Sequence, residues 1–197
     1  MREMIQMVVV LTVLSCVSGG LLASIKNNTE ERIAYQQLKF VKGPAIRDIL
    51  EGSSNDPITD RFTLQDGDVQ RSFFVGVFDG EPSKVAFETS GKGFGGDVGL
   101  MVGVNISDDS LVGVGVTTHS ETPGVGSRAK TDPAFAAQFK GMPLKGEFKV
   151  KPDGGQVDAL SGATITSRGV SSAVSDAAAI YERLKPQLAD QLKTFSK

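Results

Sequence analysis

Apolar and polar positions fall into distinct textures along the chain. Residues 5–25, IQMVVVLTVLSCVSGGLLASI, carry no charged side chain. As a helix this run measures about 31 Å, close to the hydrocarbon thickness of a bilayer. It is long for the apolar stretch of a leader, and Leu21 with Ala23 make a poor cleavage site. A retained single-pass helix over 1–27 is therefore expected, ahead of a cleaved leader or a lipid-modified Cys16. Residues 28–197 are read as one domain. It begins with a helical stretch at 29–50, broken at Gly43-Pro44.

From about Phe62 the pattern changes to short apolar runs between turn signals. Residues 69–78, 84–89, 98–106 and 111–119 read as strands. Asp79-Gly80-Glu81-Pro82, the cluster at Gly93 to Gly96 and Ser107-Asp108-Asp109-Ser110 separate them. Strands joined by tight turns predict an antiparallel meander. A short helix is predicted at 133–140, a further strand at 147–151 and a long helix at 167–185. In the last, Val170, Ala173, Val174, Ala177, Tyr181 and Leu184 recur at helical spacing. The fold class is thus α+β, an antiparallel sheet with helices packed on one face, preceded by one transmembrane helix.

Composition narrows the chemistry. A net charge of -2 offers no basic face for nucleic acid. The single cysteine rules out an internal disulfide, and it rules out an iron-sulfur cluster held by this chain alone. With one histidine, His119, no His-rich metal site is expected. Redox chemistry here would need an organic cofactor. No GxGxxG follows a strand, so a dinucleotide-binding fold is not indicated.

The densest chemical signal is Asp158-Ala-Leu-Ser161-Gly162-Ala163-Thr164-Ile-Thr166-Ser167, small residues just before the long helix. Free N–H groups at a helix start favour anions, and Gly162 and Ala163 let a phosphate approach the backbone. Thr166 and Ser167 are candidate caps that could also reach it. The same residues also suit an ordinary helix cap with no ligand.

Asp-x-x-Ser-Gly-Ala-Thr, from Asp158 to Thr164, resembles the attachment motif of the FMN-binding domain family. Two further blocks resemble it in order: Gly93-Phe94-Gly95-Gly96, and Glu121-Thr122-Pro123-Gly124-Val125-Gly126. Tyrosine often stands at the Phe94 position in that family, and leucine at Val125. Within it, the chain resembles the G subunit of the Rnf electron-transport complex and the C subunit of the sodium-translocating NADH:quinone oxidoreductase. The short length favours the former. The resemblance implies FMN joined by a phosphoester to Thr164, installed by a flavin transferase that recognises Asp158. It implies cofactor contacts from Ser161, Gly162, Ala163, Thr166, Ser167, Glu121, Thr122, Gly124, Gly93, Phe94, Gly95 and Gly96. It also implies an electron-transfer subunit of an ion-translocating ferredoxin:NAD oxidoreductase, without substrate turnover of its own. The implied partners are other membrane subunits, iron-sulfur subunits and membrane lipid. The domain would face the periplasmic or extracellular side of the cell membrane.

Other readings are weaker. His119-Ser120-Glu121 lacks a nucleophile elbow, and Ser127-Arg-Ala-Lys130 matches SxxK at about chance level. Arg168 could pair with a phosphate or remain solvated, and Glu121 could give a proton or anchor its own loop. A membrane-anchored interaction or sensory module with an FMN-binding-like fold is the alternative function class. Deleting residues 1–26 is expected to release a soluble, folded domain, with the intact mature chain starting at or near Met1 by mass spectrometry. A mature start near Ser24, or a lipidated Cys16, would refute the retained helix.

Overall fold

In a computed structural model describing residues 1–195, the chain divides into two compact units, Met1–Lys39 and Phe40–Lys197. The first is dominated by helix α1, Arg2–Gln36. Its portion Arg2–Glu30 is long and apolar enough to cross a membrane. Side chains such as Val10, Leu14 and Leu22 lie exposed along it.

Residues Gln37–Lys42 are π-helical, and helix α2 covers Gly43–Ile49. At the expected break the helix changes type: the π-helical segment ends at Lys42 and α2 begins at Gly43, with Pro44, which has no N–H to donate to the preceding turn, in the first turn of α2.

Five strands follow: β1 Arg61–Asp66, β2 Val69–Phe78, β3 Glu81–Lys92, β4 Asp97–Asn105 and β5 Ser110–Val116. They form one antiparallel sheet in sequential order, the predicted meander with one more strand, β1. The β2–β3 turn places Asp79 and Gly80 at φ 54° and 84°, as a two-residue hairpin turn requires.

Alternation splits the sheet into two faces. Val98, Leu100, Val102 and Val104 of β4 join Val85 and Phe87 of β3 in the main core. The long helix α5, Thr164–Leu192, covers that face. The opposite face receives α2, where a side chain at Gly103 would come within 2.1 Å of Ile49. Helices therefore lie on both faces, which corrects the expectation of one. Ile46, Ile49 and Leu50, too short a stripe to assign from periodicity, are buried by this contact.

Between β5 and α5 the chain makes a long excursion containing α3, Arg128–Thr131, and α4, Pro133–Ala137. The Asp132 carboxylate caps α4 by accepting from the Ala134 N–H at 3.1 Å. The strand predicted at 147–151 is absent. Val150 makes an isolated bridge to Val157, and Lys151–Asp153 is a 3-10 turn with Pro152 inside it. Phe135, Phe139, Leu144 and Leu160 seal the excursion against the core.

Helix α5 runs well past the predicted end at residue 185, through Pro186. A helix-interior proline costs about 3 kcal/mol. Leu188 and Leu192, buried two and six residues further on, offset it at roughly 1.5–3 kcal/mol each. Ion pairs then fasten α5 to the sheet turns. Asp66 accepts from Arg71 Nε at 2.7 Å and from Arg183 Nη2 at 3.0 Å. Asp109 accepts from Lys185 Nζ at 2.6 Å and the Tyr181 hydroxyl at 2.7 Å.

These contacts make stability pH-dependent. The Arg71 hydrogen bond holds the Asp66 carboxyl below its ordinary 3.8, with Arg183 adding to it. The Lys185 and then the Tyr181 hydrogen bonds do the same for Asp109. A carboxyl depressed in the folded state stabilises fully above its unfolded value, and this is lost as pH falls through the folded one. The double variant Asp66→Asn with Asp109→Asn is expected to melt below wild type at neutral pH. The difference should close as pH falls below about 4. A difference independent of pH would show that these carboxylates contribute no linkage.

Candidate functional site

The start of α5 is built by the small residues that precede it. Gly162, at φ 78°, turns the chain into the helix. Ala163 occupies the cap position and supplies no side-chain hydrogen bond. The Ser167 hydroxyl locks the turn from inside, donating to the Ala163 carbonyl and accepting from the Leu160 N–H, both at 3.0 Å. The first backbone bond along the helix is Ser167 N–H to Ala163 C=O. The N–H groups of Thr164, Ile165 and Thr166 thus begin a 29-residue helix at its positive end.

Close packing brings this helix start to the end of β3. A Cβ on Gly169 would stand 2.4 Å from the Lys92 carbonyl oxygen, and one on Gly91 would stand 1.9 Å from that of Gly169. The β3–β4 loop, which closes with a Gly93 N–H to Gly96 carbonyl bond of 2.8 Å, therefore meets the first turns of α5.

Glu121 joins these parts. Only 6% exposed, it accepts from the Gly95 N–H at 2.8 Å through Oε1. Through Oε2 it accepts from the Thr166 hydroxyl at 2.5 Å. Its own N–H donates to His119 Nδ1 at 3.3 Å, which gives the lone histidine a structural task.

A cavity of about 340 Å³ opens where the three segments meet, within the range of small-molecule sites. Phe94, Glu121, Thr122, Gly162, Ala163, Thr164 and Thr166, all named from the sequence, line it. Val125 and Gly126, from the 121–126 block, line it too, as does Ile165, which sequence reasoning had not singled out. The signal for Ile165 was an apolar residue among hydroxyls at a helix start. Phe94 is 71% exposed, Ile165 47% and Val125 40%, so the mouth is apolar. Thr164 is partly exposed, whereas the Thr166 side chain is buried and engaged.

The remaining candidates stand around this cavity or apart from it. Gly93 and Gly95 lie behind it against Glu121 and Ser120, and Ser161 is exposed beside it. The Thr122 carbonyl accepts from the N–H groups of Val125 and Ser127, and the Gly124 N–H donates to Ser127 Oγ at 2.9 Å. Gly96 has φ 142° and open space where a Cβ would stand. Asp158 lies outside the cavity, exposed and paired with Lys151 at 2.7 Å. Arg168 forms a two-pronged pair with Asp153, both bonds 2.7 Å. The Ser127 and Lys130 of the SxxK match serve separate tasks, Lys130 Nζ donating to the Thr117 carbonyl at 2.8 Å.

A threonine at the uncapped start of a long helix, over an apolar-mouthed cavity, has the chemistry suited to an anionic ligand with an apolar part. Residues 93–179 match the model of the FMN-binding domain family. The chain is 31% identical over 193 residues to the G subunit of the ion-translocating oxidoreductase complex of Vibrio cholerae, covering 92% of each chain. It is 32% identical over 179 residues to the G subunit of the complex of the same name from Methanosarcina acetivorans, covering 89% of this chain and 93% of that one. Among solved structures it resembles the C subunit of the Na+-translocating NADH-quinone reductase of Parabacteroides distasonis. That likeness has a TM-score of 0.57 and 25% identity over 82% of this chain and 95% of the other. The chain belongs to the FMN-binding domain family, with these G-type subunits among its relatives.

The packing of α5 on the β3 end yields a direct test. Gly169→Ala is expected to lower Tm by roughly 2–10 °C, because backbone must move to admit the methyl group. Ser172→Ala, at an exposed position on the same helix, should leave Tm nearly unchanged. Equal melting of the two variants would contradict the close approach.

Proposed function

We propose that Thr164 carries FMN through a phosphoester and that the chain is the flavin-bearing electron-transfer subunit of an Rnf-type ion-translocating oxidoreductase complex. The observation that carries this reading is the convergence of the 93–96 loop, the 121–126 loop and the start of α5 on one cavity with Thr164 in its wall. Residues 93–179, which match the FMN-binding domain, contain all three.

The residues present fit that group. The first N–H groups of α5 are free of a side-chain cap and suit the phosphate. Phe94, Val125 and Ile165 offer apolar surface suited to the ring. Thr164 and Thr166 lie about 200° apart around the helix. That separation turns Thr166 inward to Glu121 and leaves Thr164 accessible for modification. Asp158, exposed and held by its backbone to Gln138, is available for recognition by a flavin transferase. A covalent tether removes the need for a deep pocket, so the site can stay open to a redox partner. When bound, FMN supplies one- and two-electron transfer.

In this reading α1 anchors the chain in the cell membrane beside other membrane subunits and iron-sulfur subunits of the complex. The short N-terminal tail stays in the cytoplasm, and the FMN-binding domain faces the periplasmic or extracellular side. The full chain, produced with its flavin transferase and denatured, is expected to retain absorbance at about 450 nm. Thr164→Val should fold with an unchanged Tm and lose that absorbance. Flavin still co-migrating with the denatured variant would refute attachment at Thr164. A wild-type chain without covalent flavin would favour the interaction-module alternative.

A further inference from the structure

We infer that Glu121 is the positioning residue of this site, a buried clamp that fixes the 93–96 loop against the first turn of α5 and so sets the cavity mouth. The inference rests on the FMN reading for the identity of the occupant, while the clamp itself can be tested without flavin.

Three observations carry it. The two oxygens of one carboxylate hold two separate segments, Gly95 through its N–H and Thr166 through its hydroxyl. These partners lie 26 and 45 residues away in the chain, so the bonds organise tertiary structure and not Glu121's own loop. The carboxylate is also enclosed on both sides. A Cβ on Gly93 would stand 2.3 Å from Oε1, and one on Gly126 would stand 2.4 Å from Oε2. Glycine at both places leaves the space that the carboxylate fills. Phe94, the exposed aromatic at the mouth, is the immediate neighbour of Gly95 and is carried by the same loop. Loss of the clamp frees the Gly95 N–H and leaves the buried Thr166 hydroxyl without its acceptor, which favours opening of the loop.

The charge and the tie can be separated. The amide of Glu121→Gln still accepts from the Gly95 N–H and donates to Thr166 Oγ1. Glu121→Ala keeps neither bond. In the full-length, flavin-free Thr164→Val chain in detergent, hydrogen exchange at the Gly95 amide is expected to quicken about tenfold or more in Glu121→Ala. It should stay within about threefold in Glu121→Gln, with β4 amides unchanged in both. In the flavin-loaded chain, fluorescence anisotropy of the flavin should fall in Glu121→Ala and be restored in Glu121→Gln. A merely structural residue would lower Tm without this local pattern. Unchanged Gly95 exchange in Glu121→Ala, or equal acceleration across β4, would overturn the clamp. If Glu121→Ala fails to fold, Gly126→Ala displaces the carboxylate from the side and should quicken Gly95 exchange; no change there overturns the proposal equally. Absence of covalent flavin from the wild-type chain would defeat the cofactor reading alone, and the exchange result would still decide the clamp.

Discussion

The Glu121 carboxylate, seated between the Gly95 N–H and the Thr166 hydroxyl, is the contact on which the site depends. Removing such a group from water costs several kcal/mol unless donors replace the lost hydration. Here both oxygens have donors. The penalty thus becomes a constraint. The carboxylate stays buried only while the two loops and the helix start keep their relative positions.

The sheet explains why these segments meet. In an antiparallel meander, the end of β3, the start of β4 and the end of β5 lie along one edge, as the pairings Lys92 with Asp97 and Leu100 with Val116 show. The 93–96 loop and the 121–126 loop therefore emerge together. Helix α5 arrives at the same edge because its buried stripe, from Val170 through Leu192, aligns it over β3 and β4. Its N-terminus can approach β3 closely because Gly91 and Gly169 present no side chains to one another. The Asp66 and Asp109 ion pairs hold the other part of the helix to the sheet turns. Fold and site are thus one construction: the apolar stripe sets the line of α5, and the small residues at its start let chemistry approach it.

Much of this was legible in the chain before folding. The β2–β3 turn announced itself through Asp79-Gly80, and Val69–Phe78 is a strand with the expected bounds. The stripe of α5 was visible, though its extension past Pro186 depended on burial of Leu188 and Leu192, which no local rule supplies. Strand β1 was missed because Phe62 and Leu64 alternate too briefly to separate from loop. The 147–151 segment has strand-like residues but no neighbouring strand to complete a ladder beyond the Val150–Val157 bridge. The three motif blocks were found, and Phe94, Glu121 and Thr164 share a cavity. What the spacing hid was the division of labour. Thr166 and Ser167 look like ligand-facing hydroxyls beside Thr164, yet their bonds run inward to Glu121, Ala163 and Leu160. The role of Thr166 follows from a contact 45 residues away, and that of Ser167 from the way the turn at Ala163 closes, neither of which spacing shows.

The most direct measurement is mass spectrometry of the tryptic peptide 150–168 from the full chain produced with its flavin transferase. That peptide contains both Thr164 and Thr166, since cleavage is blocked between Lys151 and Pro152. The account requires a peptide heavier by FMN less one water, with fragment ions placing the added mass on Thr164. An unmodified peptide, or the added mass on Thr166, would contradict it.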